Sequence, residues 1–374
     1  MRGKRNLYSF PQKKGITMNF IGVDLHKQSI SFCVVNQNRT VLARKRLLCR
    51  DTDGILAFLE QWNEFGMVVE ATASYEWFVK LTEPLARRVV LAHPQKMRVI
   101  AESTRKSDKL DAQILAEFLA LDIIPASYRP TQRERDHRRL VRHRDAIQRR
   151  ITSIKNRMRR IMSDYNADRS DLFSVQGQQS LIKFPFSEAD RFAMDQLSLE
   201  LTFKQDQLKQ ANRKLEEFAK RSPIRQQQQR KLLRSIPGVG FVTSEVVLAE
   251  LADVDRFDSQ KQVVSYAGLA PGQRESDGKS KQLHIEKTGS KHLRWILVEA
   301  AWQLVRYSPR WKNIYEKLKQ RMGAKKAIIA ISRRLLCLMI AVLKSGEPYS
   351  AVHANLSSDS ANQSRSAPLA ITST

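Results

Sequence analysis

The chain has 374 residues, 42% of them hydrophobic, with 65 Lys and Arg against 38 Asp and Glu and a formal charge of +27. That apolar share is enough for packed cores and excludes a disordered basic protein. The length suggests two or three domains, no apolar run approaches the ~18 residues of a membrane span, and so large a positive charge makes nucleic acid the default partner.

Residues 1–17 read as a flexible basic leader without the apolar centre of a signal peptide. MNFIGVDL, ISFCVVN and VLARKRLL then read as three successive strands separated by turn-like LHKQS and NQNRT. Asp51-Thr52-Asp53 caps a helix expected to run to Trp62. GMVVEAT is a buried strand, SYEWFVKLTEPLA a helix, RRVVLAHP a strand and Pro94 to Ala101 a short helix; SDKLDAQILAEFLAL is an amphipathic helix. A strand meander followed by alternating helices and strands predicts an α/β domain of the ribonuclease-H or RuvC-like kind over 18–128.

The character of the chain then changes. Between Tyr128 and Arg160 there are thirteen Lys and Arg against three acids, and Leu140, Ile147, Ile151, Ile154, Met158 and Ile161 recur at helical spacing. One long helix is expected from Thr131 to about Asp164, a loop over 166–188, and a second long helix from Asp190 to Arg221. The region 129–225 is read either as an antiparallel coiled-coil arm or as two helices lying flat on a core. Gln226 to Gln229 is taken as a hinge into a mainly α-helical domain over 226–350, with a small, polar, disordered tail at 351–374. Helices are expected through Ala300 and again from Ala324 to Lys344. LLRSIPGVGFVTSEVVLAEL reads as a helix-hairpin-helix, in which Gly238 and Gly240 would let backbone amides approach a phosphate, or as an ordinary tight turn. Cys33, Cys49 and Cys337 are too far apart for a disulfide framework or a zinc knuckle, so a reduced, cytoplasmic protein with no membrane association is expected.

Two places carry chemistry. Asp24 ends the first strand and Glu70 a later one, at the sheet edge where α/β proteins place ligands. Asp108 and Asp111 are three apart at a helix start and share a face. Taken singly, each acid has an ordinary reading as a turn, surface or dipole-complementing residue. Together they form an oxygen-donor set whose mutual repulsion Mg²⁺ would cancel, with Mn²⁺ as the alternative ion. Two such ions about 4 Å apart suit displacement at a phosphodiester. The second place is YAGLAPGQRESDGKSKQLHIEKTGSKHLRW, where Ser276-Asp277-Gly278 reads as an exposed turn followed by Lys287, Lys291 and Arg294. A serine attacking phosphorus would form a phosphoserine ester that keeps the bond energy for rejoining. On residue type alone, Ser276 is one turn serine among many.

These motifs resemble the DEDD-type transposases of insertion-sequence family 110, in the grouping that includes the 116, 902 and 1111 branches. The likeness rests on IGVDLHK, MVVEATASYEW, STRKSDKLDAQILAEF, LLRSIPGVGFVTSEVVLAEL and SYAGLAPGQRESDGKSKQLHIEKTGSKHLRWILVEAAW, and it spans Met18 to Tyr307. The resemblance implies that Asp24, Glu70, Asp108 and Asp111 are the metal-binding DEDD set. It further implies that Ser276, five residues after Pro271, is the nucleophile. Asp277 stands where many relatives have glycine, which leaves Ser280 as the fallback. The resemblance also implies donor and target DNA, a noncoding bridge RNA, and a homo-oligomer (dimer or tetramer) whose active site combines serine and carboxylates from different protomers. A bacterial, nucleoid-associated location goes with it. Arg138, Arg142 and Arg149 on the long helix are expected to touch nucleic-acid backbone, and Lys287 and Arg294 to stabilise the phosphate. The rivals are a hydrolytic Holliday-junction nuclease of the RuvC type and a nonenzymatic nucleic-acid-binding protein.

Overall fold

The computed structural model describes residues 18–71, 74–94, 96–97, 108–276 and 279–350, with the side chains of 108–111 and 273–283 outside that description. The expected leader and tail, and most of the short helix expected from Pro94, therefore lie outside the described residues. The chain divides into two compact units, 1–129 and 130–374.

The first unit is built on a five-stranded sheet in the order β3-β2-β1-β4-β5. β1 (Asn19–Leu25), β2 (Ser29–Val35) and β3 (Val41–Leu48) form the antiparallel meander; β4 (Phe65–Glu70) and β5 (Arg88–Ala92) join β1 in parallel. Alternation along the strands sorts side chains to two faces. Ile21, Val23, Phe32 and Val34 pack with α1 (Thr52–Glu60) and α2 (Tyr75–Thr82), through Phe58 and Phe78. Phe20, Cys33, Val35, Val68 and Val90 pack with α3 (Asp108–Ala120), through Ala112, Ala116 and Leu119. Asp51 caps α1 by accepting the Gly54 amide at 3.0 Å. β3 is the charged edge, Arg44-Lys45-Arg46, which discourages pairing with another strand. This mixed sheet agrees with the ribonuclease-H-like expectation.

Gly22 decides how closely α3 can approach. A Cβ there would overlap the Ala112 carbonyl oxygen and the Ala116 amide, both rigid backbone. Only glycine lets helix and strand touch at this point.

The second unit opens on two long helices, α4 (Gln132–Asp164) and, after a short intervening helix, α6 (Glu188–Lys220), each 33 residues and so about 50 Å long. A capping box of Thr131 and Glu134 starts α4. The two helices run antiparallel, as three contacts along them show. Arg133 donates to the Phe218 carbonyl at 3.1 Å, Arg144 to Asn212 at 3.1 Å and the Tyr165 hydroxyl to Asp190 at 2.7 Å. Ile147, Ile151, Ile154, Met158 and Met162 form one core with Met194, Leu197 and Leu201.

Several expectations fail here for identifiable reasons. The loop expected over 166–188 contains α5 (Val175–Ile182), capped by Ser174. Its Gly177 marks a close approach to the backbone of Asp171 and Leu172 rather than a break. The four glutamines read as a hinge lie inside α7 (Ile224–Arg234), where Gln229 is buried; glutamine is a good helix former, and the chain turns at Ser222-Pro223 instead. α8 (Phe241–Leu251) and α9 (Gln260–Tyr266) follow. Next comes an antiparallel hairpin, β6 (Pro271–Ser276) and β7 (Lys279–Ile285); a turn at 276–278 was expected, the two strands were not. α10 (Lys291–Tyr307), α11 (Pro309–Met322) and α12 (Ala324–Ser345) complete the unit; α11 was not expected. Leu233, Val246, Val247, Leu297, Leu304, Leu335 and Met339 belong to its main core.

Candidate active site

The parallel register of β1 and β4 pairs Val23 with Val69, so the next residues stand side by side, Asp24 one before the end of β1 and Glu70 at the end of β4. Asp24 lies two residues beyond Gly22 and Glu70 two beyond Val68. Both therefore belong to the face that α3 covers. The direction of α3 follows from its far end: Asp122, just after the helix, accepts from Arg88, the first residue of β5, at 3.4 Å. The end of α3 thus lies at the start of the parallel strands, and its first turn, bearing Asp108 and Asp111, lies at the edge where Asp24 and Glu70 stand. The backbone brings all four acid positions to one edge of one face. The side chains of Asp108 and Asp111, and so the carboxylate separations, lie outside the described residues.

Asp24 is 7% exposed, and His26 Nε2 lies 2.9 Å from its Oδ2; Glu70 is half-buried. Among the described residues no group of three His, Cys, Asp or Glu could hold a metal ion, a set that omits two of the four acids. The donor chemistry nevertheless fits a hard divalent cation. It consists of carboxylate oxygens on two adjacent strand ends and a helix start.

Ser276 is the last residue of β6 and pairs with Lys279 across the tip of the hairpin; Ser280 pairs with Glu275. The intervening Asp277 and Gly278 lie outside the described residues. The stem of this hairpin is tied at several levels. Glu286 donates its amide to the Ala270 carbonyl at 3.1 Å, and Ser290 to that of Tyr266 at 3.2 Å. Gly289 permits this, because a Cβ there would overlap the Tyr266 carbonyl. Arg294 Nη1 donates to the carbonyls of Ala267 and Gly289, each at 3.1 Å.

Glu250, fully buried near the end of α8, anchors the stem. Its carboxylate accepts from Ser290 Oγ at 2.9 Å and from Arg142 at 2.8 and 3.0 Å, and its carbonyl accepts from the Tyr266 hydroxyl at 2.9 Å. Burial alone would raise this carboxyl, but the bonds from Arg142, the Arg138 charge and Ser290 outweigh it and hold the carboxyl below the ordinary glutamate value. Glu245, one and a half turns earlier, is equally buried. His137 lies at 2.9 Å from it, Arg230 grips both its oxygens, and these partners likewise overcome burial and depress it. Asp145 behaves differently. Its burial outweighs Arg144 and His292, both at 3.4 Å, and its carboxyl is raised.

Several residues expected to contact phosphate have partners within the protein. Arg138 donates to the carbonyls of Ala249 and Glu250, and Arg142 pairs with Glu250. The Arg138 side chain is 18% exposed, whereas that of Arg142 stays 46% exposed while it pairs with Glu250. Arg294 is spent on the hairpin stem, where burial lowers its basicity. Gly238, with φ of 80°, lies against α10, where a Cβ would collide with the backbone of Gln303 and Leu304. Packing against α10 requires glycine here. Gly240 is exposed with open space around it, and Arg149, Lys287 and Lys291 are exposed. Sequence reasoning passed over Glu245 and Glu250. Two acids inside the otherwise apolar VTSEVVLAEL were the available signal.

Comparison with known proteins matches both units. Residues 21–167 match a family model described as a transposase (DEDD, IS110), and residues 230–316 match the transposase IS116/IS110/IS902 family. The chain is 24% identical to the transposase for insertion sequence element IS1111A of Coxiella burnetii, over 89% of this chain and 91% of that one. It is 26% identical to a pilin gene-inverting protein of Moraxella lacunata, over 89% of this chain and 98% of the relative. With the transposase for IS1328 of Yersinia enterocolitica the identity is 24%, over 76% and 83%.

Proposed function

The chain belongs to the IS110 family of transposases, and from that premise we propose that it excises and inserts its own element by cutting and rejoining DNA strands through a covalent phosphoserine intermediate. Ser276 Oγ loses its proton and attacks the scissile phosphorus. The Oγ–P bond forms, the P–O3′ bond breaks, and the leaving oxygen takes a proton to become a 3′-hydroxyl. A 3′-hydroxyl of the exchanged strand then attacks the same phosphorus, releases Ser276 and restores its proton. Two transesterifications leave the number of phosphodiester bonds unchanged, so no nucleotide cofactor is consumed.

Asp24, Glu70, Asp108 and Asp111 would hold a divalent ion, magnesium or manganese, which when bound supplies positive charge to the reacting phosphate. The observation that carries the reading is the in-register placement of Asp24 and Glu70 at the edge to which α3 points its first turn. The family resemblance adds a homo-oligomer, dimer or tetramer, in which serine and carboxylates come from different protomers. In this proposal the α4–α6 pair acts as a coiled-coil arm and α7–turn–α8 as a helix-hairpin-helix presenting Gly240 to the phosphate backbone. Base pairing by a bridge RNA chooses the sequence, and the protein contacts mainly backbone.

The test incubates the protein with RNA from the flanks of its element, Mg²⁺ and labelled donor DNA. Denaturation should leave a protein–DNA adduct that digestion maps to Ser276. Ser276→Ala should lose both adduct and cleavage. Full cleavage without an adduct in that variant would replace the proposal with hydrolysis by water.

A further inference from the structure

α10 turns an unusual face outward. Lys291, Trp295, Trp302 and Arg306 recur at intervals of four, seven and four residues, which places them on one stripe of the helix. The opposite face, with Leu293, Ile296, Leu297, Ala300 and Leu304, is buried in the core. Trp295 is 40% exposed and Trp302 43% exposed, and Lys291 and Arg306 are exposed at the two ends of the stripe. The two indoles are seven residues apart, about 10 Å along the axis. Trp302 is steadied by an edge contact with Tyr315 of α11, centroids 5.4 Å apart, and Lys319 Nζ lies 5.9 Å from the Tyr315 ring.

Large apolar groups on a surface call for an occupant, and the surrounding charge selects which. From Lys291 to Lys326 there are ten Lys and Arg against two acids, Glu299 and Glu316. A second copy pairing through this same face would set its own ten Lys and Arg against these, so the dimer or tetramer proposed above would form through other surfaces. A polyanion whose neutral, flat parts stack on indole meets both features at once. Double-stranded DNA hides its bases, whereas a single strand offers them. Glu299 lies on the stripe between the tryptophans and repels phosphate there, which assigns phosphates to the cationic ends and leaves the middle to bases.

We propose that the outer face of α10 is a stacking platform for single-stranded nucleic acid, with Trp295 and Trp302 each taking an unpaired base and Lys291 and Arg306 neutralising the flanking phosphates. The proposal needs no chemistry at Ser276. Failure of either idea leaves the other standing.

The experiment uses the full chain and three probes of one sequence: an unstructured DNA strand, the matching RNA strand and the DNA duplex. Affinities are read by fluorescence anisotropy across a salt series. Trp295→Ala, which leaves the Trp302–Tyr315 contact intact, should weaken single-strand binding by about tenfold, and the double Trp295→Ala/Trp302→Ala variant by about a hundredfold. Duplex binding should hold. Trp295→Phe/Trp302→Phe should restore most of the loss, because a phenyl ring still stacks. Lys291→Ala/Arg306→Ala should reduce the single-strand salt slope by about 1.4. A loss confined to the RNA or to the DNA strand supports the proposal and names the source. Unchanged single-strand affinity, an equal loss on duplex and single strands, or a change in oligomeric mass on removing the tryptophans would each overturn it.

Discussion

Asp24 and Glu70 in the first unit stand side by side near the ends of apolar strands at a sheet edge, whereas Glu245 and Glu250 in the second sit within one helix, fully buried, each gripped by an arginine. On the proposed function, the contrast separates two uses of a carboxylate. A buried acid met by a bidentate guanidinium, with further donors from His137 or Ser290, has its oxygens committed to the protein and joins helices together. An acid at the open end of a parallel strand is placed where ligands arrive. Both occur in this strongly basic chain, so charge by itself does not distinguish them; position in the element does.

The largest effect should come from crossing that divide. Glu245→Ala leaves Arg230 buried without its counter-charge and His137 without its hydrogen-bond partner, and should cost about 3–5 kcal/mol of unfolding free energy in denaturant titrations. Asp24→Asn should leave the melting temperature unchanged or raise it, while strand exchange on a donor–target pair disappears. A variant of Asp24 that unfolds as readily as Glu245→Ala would make the edge acid another structural one and break the comparison.

A smaller and graded effect is expected with pH. Glu245 and Glu250 are both held below the ordinary value of 4.5, so the unfolded chain takes up their protons first as acid is added. Their contribution to stability is whole above 4.5 and fades as pH falls through the depressed folded values. Asp145, raised by burial, acts in the opposite sense: its contribution is present below its ordinary value of 3.8 and is lost as pH rises through the folded one. Acidification should therefore weaken what Glu245 and Glu250 contribute. Melts from pH 6 to pH 3 should show a steeper decline for the natural protein than for Glu250→Gln, which cannot titrate at that position. Parallel curves would mean that the Glu250 network does not hold its charge as the bonding implies.

How far the sequence revealed this arrangement depended on the range of the interaction. Alternation and strand-end position are local, and they were enough to find β1 to β5 and to single out Asp24 and Glu70. The capping residues Asp51 and Thr131 also act within one turn of their own helices. What escaped were long-range decisions. The pairing of Arg138 and Arg142 with Glu250 was not legible, because Glu250 is 108 residues beyond Arg142. The β6–β7 hairpin has mixed polar strands without clear alternation, and its register is fixed by the stem contacts to Tyr266, Gly268 and Ala270 rather than by pattern. The close packing of α10 on Gly238 joins residues about 65 positions apart, which the local Pro-Gly-Val-Gly pattern does not carry.

The smallest expected effect tests the arginines on α4, because Arg142 and Arg149 are seven residues apart on one helix and yet are assigned to opposite sides of the comparison. Arg142→Ala removes two charged hydrogen bonds from a buried glutamate and should lower stability by about 1–3 kcal/mol. Arg149 is exposed, so Arg149→Ala should change stability by no more than about 0.5 kcal/mol. If Arg149 meets a phosphate, its loss should also reduce the salt dependence of duplex binding by about 0.9 in the log–log slope. Denaturation and salt-titrated binding on both variants would decide the matter. An Arg142→Ala protein that melts normally but loses a unit of salt slope would return that residue to the nucleic-acid face. The guanidinium contacts to Glu250 would then be incidental to the fold.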